Sequence, residues 1–395
     1  MAKPREFEKP TGVRDFPPAL VAKKKWVEQR VGERFRAWGY REVITPALEY
    51  FETVGKASAI EEHKLFKLLD SQGRTLVLRP DQTAPIARVV ATMMRKESLP
   101  LRLCYHGNVF RAQEREAGRN AERFQSGVEL VGDDSPEADA EVVALAVEAL
   151  TACGVENIRV SIGHIGLLDA LLKEYLPDPE VARLKDSLGR RNLVEFRERV
   201  QALELTESNR ERLLSLLTIR GGREALDRLG RHSHTEAVTA AIFHLQAMWD
   251  ALQDWDVADA VDLDLTLVGS LEYYTGMYFE GYGAKGSYLL SGGRYDQLLE
   301  QFDRPSPARG FALKTDQLLM ASSGGEDRPE RVALVYPRRW RRQACRTASQ
   351  MRREGKNVAM FVAETGVYPA EDAFDRVEEV SGHDENRSAP DGGDA

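Results

Sequence analysis

Gln125 and Glu129 sit four residues apart in Arg123 to Val131, a run that reads as a β-strand. Alternation along a strand puts both side chains on one face. A carboxylate so placed can accept a hydrogen bond from a ring N–H. Tyr273 and Tyr274 add a hydroxyl and an apolar wall, and the pair Gly292-Gly293 lets backbone approach a ligand closely. Each feature also has a plainer reading. Glu129 can pair with an arginine as a structural bridge, and tyrosine pairs are ordinary in sheets. Asp81, directly after Pro80, can start a turn or cap a helix.

The elements that would position these groups follow from periodicity. Residues 18–38 place Leu20, Val27, Val31, Phe35 and Trp38 on one helical face, with Gly39 as the stop. Strands are expected at Glu42 to Thr45, Thr75 to Arg79, Leu101 to Arg111 and Arg123 to Val131. The polar stretch Ala112 to Glu122 makes the last two a hairpin with a long charged tip. A further strand, Asn157 to His164, leads into a helical region over 167–257, read as an insertion. Strands resume at Asp262 to Val268, Met277 to Gly283 and Ser287 to Ser291; helices are expected at Arg294 to Phe302 and Lys314 to Ser322. Hairpin strands with helices gathered beside them indicate an α+β antiparallel sheet flanked by helices. That core occupies 1–320. A Ser/Gly-rich linker, 321–330, leads to a small βαβ fragment over 331–370: Val332 to Tyr336, a helix from Arg341 to Glu354, and Val358 to Val362.

Composition excludes several classes. The 395 residues, 42% hydrophobic and 30% charged, suit a globular protein with a sizeable core, and no run of 18 apolar residues offers a membrane span. Cys104, Cys153 and Cys345 are few and far apart, which favours reduced thiols in the cytoplasm. His232 and His234, without a nearby cysteine, read as loop residues, so no metal is expected. Residues 371–395 carry nine acids and two arginines, nearly all of the net charge of −8, and read as a disordered acidic tail. Between Arg331 and Lys356 nine basic residues face one acid, a composition that fits a solvated helix face or a contact to RNA or an acidic protein.

Five separated segments carry a resemblance. They are Arg-Pro-Asp-Gln-Thr (Arg79 to Thr83), Phe-Arg-Ala-Gln (Phe110 to Gln113), Leu-Glu-Tyr-Tyr-Thr-Gly (Leu271 to Gly276), Ser-Gly-Gly-Arg-Tyr-Asp (Ser291 to Asp296) and Gly-Phe-Ala-Leu-Lys-Thr-Asp-Gln-Leu (Gly310 to Leu318). In this order they resemble the core of the histidyl-tRNA synthetases, class II aminoacyl-tRNA synthetases, over about Gly12 to Gln317. Thr11 to Asp15 and Thr45 to Glu49 resemble the first motif of that family, which forms its dimer interface. Binding free histidine demands acceptors for the ammonium, a cation for the carboxylate and partners for both ring nitrogens. The resemblance implies that Asp81 and Thr83 hold the amino group with Gln125 beside them. It puts Arg111 near the carboxylate or the α-phosphate, and Glu129, Tyr273 and Tyr274 around the ring.

Activating an amino acid asks for more. Negative charge develops on the phosphates of ATP and must meet fixed cations. Where the resembled family carries two arginines, this chain has Gly269 and Gln317, and Gln113 stands for a carboxylate. One lost preorganised donor typically costs roughly 10²–10³ in rate. Arg115, Arg119 and Arg123 would each have to take over another strand's position. The C-terminal fragment is also too small for a full anticodon-binding domain, so functional tRNA binding is not expected.

Tyr50 to Gly55, Leu65 to Asp70 and Thr83 to Arg88 resemble the regulatory subunits of ATP phosphoribosyltransferase, a synthetase-like family of histidine biosynthesis. That resemblance implies no catalysis by the chain itself and no cofactor, with histidine as allosteric ligand. It further implies a homodimer through the synthetase-like interface, paired with a short catalytic subunit in a hetero-octamer. The alternatives are a tRNA ligase with substitute arginines, or an ATP-dependent enzyme joining histidine to another acceptor.

Overall fold

The computed structural model describes residues 8–112, 120–230, 235–269, 274–324, 329–370 and 372–380. The chain divides into two compact units, 1–325 and 326–395. Fifteen strands form three sheets among the described residues. β1 (Arg41–Glu42), β2 (Leu48–Tyr50), β3 (Lys67–Leu69) and β4 (Thr75–Leu78) come first, followed by the long hairpin β5 (Leu101–Phe110) and β6 (Glu122–Val131). β7 (Arg159–His164), β8 (Arg220–Gly221), β9 (Val261–Asp264), β10 (Met277–Tyr282), β11 (Tyr288–Arg294) and β12 (Ala308–Lys314) complete the first unit.

Nine of these build one sheet in the order β1-β5-β6-β12-β11-β10-β7-β9-β8. Its central neighbours are antiparallel, as expected of the hairpins; β1 against β5 and β7 against β9 are parallel. Register aligns the small residues. On β6, Gln125, Gly127 and Glu129 share one face. They oppose Lys314, Ala312 and Gly310 on β12, and Gly107, Tyr105 and Leu103 on β5. Ser291 and Gly293 of β11 continue the same rows.

The alternate residues point into the core. Val128, Leu130, Phe311, Leu313 and Phe279 are buried with Val27, Val31 and Phe35 of α1 (Pro18–Ala37). The 3.6-residue spacing of those three side chains explains why α1 lies along the sheet, and Gly39 at φ +81° turns the chain away from its end. The second helix, α2 (Thr83–Ala91), closes the other face with Ala84, Ile86 and Val90. Helix α3 (Pro136–Ala152) begins with Pro136 and is capped by Ser135, whose hydroxyl accepts from Ala138 N–H at 3.2 Å.

Asp139, in the first turn of α3, is fully buried 2.8 Å from the guanidinium of Arg309, itself fully buried. Arg309 also donates to Ser135 O at 2.8 Å and to Asp133 O, and His244 lies 2.7 Å from Asp139. Two charges removed from water together fasten α3 and the helix Glu236–Asp254 to β12.

The structure departs from the periodicity at several points. β2 and β3 flank β4 in a small antiparallel sheet that short, partly exposed strands did not announce. The strand expected at Asp262 to Val268 is only Val261–Asp264. β11 runs through Arg294, leaving a short 3₁₀ turn at Leu298–Phe302 in place of a helix. Among the described residues, six helices lie between Ile165 and Asp254, and Leu168, Leu184, Phe196 and Leu245 share one core with the sheet. No described helix is long and apolar enough to cross a membrane.

The second unit pairs β13 (Arg331–Tyr336) in parallel with β14 (Asn357–Val362), and the helix Arg341–Arg353 packs on them through Ala344 and Ala348. A third strand, β15 (Arg376–Glu379), pairs with β13 inside the stretch that composition marks as tail. Charge is what an exposed edge strand carries, so the acidic pattern hid it. Residues 381–395 lie outside the described residues, as do His232 and His234.

Removing one member of the buried pair leaves the other charge stranded. Asp139→Ala is expected to cost about 3–5 kcal/mol, read as a lowered urea midpoint. Asp139→Leu combined with Arg309→Met should recover most of that loss.

Candidate functional site

A cavity of about 530 Å³ opens on the face of the sheet that carries Gln125 and Glu129, a size usual for a small-molecule site. Gly310 and Ala312 form part of its floor, and polar side chains stand around them. The structure brings Asp81, Thr83, Arg111, Gln125, Glu129 and Tyr274 together on this one lining. Tyr273 and Gln113 lie outside the described residues.

Glu129 is buried at the inner end. Its Oε1 accepts from Thr83 Oγ1 at 2.8 Å, and its Oε2 accepts from the Tyr295 hydroxyl. A Cβ at position 310 would overlap Oε2, so glycine there makes the room the carboxylate needs. Burial pushes the Glu129 carboxyl well above the ordinary carboxylate range; the Thr83 hydrogen bond opposes that shift and the charge of Asp81 adds to it.

Asp81 is held by its motif. Arg79 donates to Asn108 O at 2.8 Å and to Asn108 Oδ1 at 2.9 Å, anchoring the Pro80 turn to β5. Asp81 Oδ1 then accepts from Ala84 N–H at 2.9 Å, capping the first turn of α2. The helix-cap reading is therefore true of one oxygen only. The other, Oδ2, is buried without a hydrogen-bond partner among the described residues. Burial raises the Asp81 carboxyl to about 6, partly offset by the Ala84 hydrogen bond and by Arg111. An ammonium group docking at Oδ2 would satisfy that atom and favour the ionised form.

Arg111 continues from β5, its Nε donating to Pro80 O at 2.8 Å. Arg123 also reaches the lining, with Nε donating to Asn120 O at 3.0 Å. Gln317, at a position where the resembled family carries an arginine, lines the cavity. At Gly269 the loss goes further than one side chain. A Cβ there would come 2.8 Å from Tyr274 Cδ2 and 3.0 Å from Tyr278 Cδ2. The two rings, 5.0 Å apart between centroids, occupy the exit an arginine would need.

Sequence reasoning missed four participants. Tyr295 lies within the motif Ser291 to Asp296, and nothing local marks it as a donor to Glu129. Tyr278 donates to Glu280 at 2.9 Å, and that carboxylate also accepts from Arg191 at 2.5 Å. Tyr288 is raised to about 12, chiefly by burial. Lys314, opposite Gln125 across the β6–β12 pair, lies with Nζ 2.9 Å from the centroid of the Tyr288 ring. Strand alternation carried the signal for Lys314, since it shares a face with Gly310; the others depend on long-range register.

Chemically, the arrangement offers two buried carboxylates, an amide, several hydroxyls and a set of cations on one wall. That suits a zwitterion with a hydrogen-bonding side chain. The family model described as histidyl-tRNA synthetase matches residues 12–318. The chain is 46% identical over 356 residues to an ATP phosphoribosyltransferase regulatory subunit of Bacillus licheniformis, covering 90% of this chain and 91% of that one. A crystal structure described as an ATP phosphoribosyltransferase regulatory subunit/histidyl-tRNA synthetase from Bacillus halodurans superposes with a TM-score of 0.90 at 41% identity. It covers 96% of this chain and 99% of its own. Histidyl-tRNA synthetase of Nostoc, at 18% identity and a TM-score of 0.78 over 90% of this chain and 86% of its own, shares the fold.

A raised carboxyl holds its proton to higher pH in the folded chain than in the unfolded one. Glu129 therefore contributes stability that is present below its ordinary value of about 4.5 and is lost as pH rises. Glu129→Gln should consequently gain thermal stability relative to the unsubstituted chain as pH is raised from about 4.5 to 8. A difference that stays constant across this range would exclude the buried ionisation.

Proposed function

Because the chain belongs to the family of ATP phosphoribosyltransferase regulatory subunits, built on the histidyl-tRNA synthetase fold, we propose that it senses histidine for that enzyme without catalysing a reaction itself. The observation that supports this reading is a contrast among the residues around one cavity. Groups suited to an amino acid line it, while Gln317 on the same lining and Gly269 beside the Tyr274 and Tyr278 rings stand where the resembled family carries arginines. Asp81 and Thr83 receive the ammonium with Gln125 beside them. Arg111 faces the carboxylate end, and Glu129 with Tyr273 and Tyr274 takes the imidazole.

Feedback then needs only that histidine bind two states of the assembly unequally, a coupling of about 1–3 kcal/mol. The catalytic partner in this proposal is a short phosphoribosyltransferase subunit that joins ATP to phosphoribosyl pyrophosphate and depends on this chain for activity. Four copies of each, with this chain dimerised through its synthetase-like face, would make a hetero-octamer in the cytoplasm. By linkage, substrates of the partner must weaken histidine binding as much as histidine weakens theirs.

The direct test is co-expression with the short subunit, assayed for phosphoribosyl-ATP formation with and without histidine. Activity that needs both chains and falls on adding histidine is expected; histidine-dependent ATP–pyrophosphate exchange by this chain alone would overturn the reading. Gly269→Arg with Gln317→Arg should still give no exchange, because the Tyr274 and Tyr278 rings block the restored side chain.

Binding should also weaken in acid. Docking the ammonium requires ionised Asp81, so calorimetric affinity for histidine should fall as pH drops through about 6. Asp81→Asn should abolish that limb and weaken binding at pH 7 by about 1.5–3 kcal/mol.

A further inference from the structure

The wall that receives the ligand's carboxylate contains a cation no resemblance assigns. Lys314 ends β12, one strand from Gln125, and its side chain lies in the cavity lining. The register puts it four residues along the strand from Gly310, which opposes Glu129. An extended strand advances roughly 3.4 Å per residue, so the two rows stand roughly 14 Å apart. A ligand that reaches from Glu129 along this axis approaches the Lys314 row, where Lys314 shares the lining with Arg111 and Arg123.

Lys314 is also the cation least committed elsewhere. Its amine has one recorded interaction among the described residues, the Tyr288 ring face. By contrast Arg111 and Arg123 each spend a donor on backbone. The carboxylate that acts on it from β10, Glu280, is already bonded to Arg191, Tyr278 and Tyr282. A half-buried amine whose neighbouring carboxylate is already engaged is a place suited to an anion.

We propose that Lys314 is a second cation, beside Arg111, for the carboxylate of the bound amino acid, and so adds to the demand for a free carboxylate. The proposal rests on the histidine reading above.

The electrostatic surroundings agree with the geometry. Burial lowers the Lys314 amine to about 7; Glu280 of β10 opposes the shift, while Arg123 of β6, Arg111 after β5 and Arg191 add to it. Tyr278 and Tyr282 of β10 and Tyr288 of β11 all have raised values, so they remain neutral there. Above pH 7 the empty site holds a largely neutral amine. A carboxylate stabilises the ammonium form, so binding must take up a proton. The sign is opposite to that of Asp81, whose proton is expelled on binding.

Calorimetry in buffers of different ionisation enthalpy reads this uptake on the unsubstituted full-length chain. At pH 8, histidine should bind with more proton uptake than histidinol, which has the ring and amine but no carboxylate. Its affinity should fall toward tenfold per pH unit above about 7. Lys314→Met should lose the extra uptake and narrow the preference for histidine over histidinol to what Arg111 supplies. Equal uptake for the two ligands on the unsubstituted chain, or a histidine preference undiminished in Lys314→Met, would overturn the proposal. If neither ligand binds the unsubstituted chain, alone or with its partner, it is the histidine pocket itself that fails.

Discussion

A carboxylate buried at the inner end of a cavity governs the layout of this protein. Glu129 can be buried only because its two oxygens meet Thr83 and Tyr295, and because position 310 has no side chain. Those conditions bind together three distant parts of the chain. Thr83 opens α2, Tyr295 follows β11, and Gly310 lies on β12, so the sheet order is also the assembly order of the site. The opposite face must then be held rigid. It is, by the apolar side chains of β6 and β12 on α1 and by the Asp139–Arg309 pair. A loose core beneath such a site would let donors drift from a buried acid and turn a satisfied group into a costly one.

Much of this was legible in residues alone. Alternation was enough to place Gln125 and Glu129 on one face, and the Arg79 to Thr83 motif held both the cap and the free oxygen of Asp81. What escaped were facts of register. Nothing local says that Tyr295 will find Glu129 across 166 residues, or that Lys314 will lie over Tyr288. Nor does a missing arginine at 269 reveal that two rings have closed over its place. The short strands β2 and β3 and the charged edge β15 escaped for another reason. Each is too brief or too exposed to show a period-two pattern, and pairing with a neighbour supplies most of what makes it a strand.

The same cavity illustrates why binding and catalysis separate so readily. Recognition of an amino acid uses contacts made equally before and after any reaction. Acceleration requires contacts that grow only as charge develops, supplied by donors fixed in advance. In the site proposed here the first set is distributed over α2, β5, β6 and the segment at Tyr274, and Asp81, Thr83, Arg111 and Glu129 are tied into the fold by hydrogen bonds. The second set depends on a few guanidinium groups at the rim, which could be lost without disturbing the sheet. Once the Tyr274 and Tyr278 rings had settled against Gly269, the position could no longer take back a long side chain without repacking.

A site that only recognises its ligand is free to use softer cations. Arginine holds its charge at any physiological pH and presents a rigid fork. Lysine in a partly apolar pocket gives up its proton easily, and its ammonium becomes favourable only when an anion arrives. An enzyme that must stabilise a transition state gains from the first kind of group, because reorganising at the moment of reaction raises the barrier. A sensor gains from the second. Its signal is the free-energy difference between empty and occupied states, and an amine destabilised when empty and stabilised when filled widens that difference. On this argument a lysine on β12 is the kind of cation that the sensing proposed for this site would use.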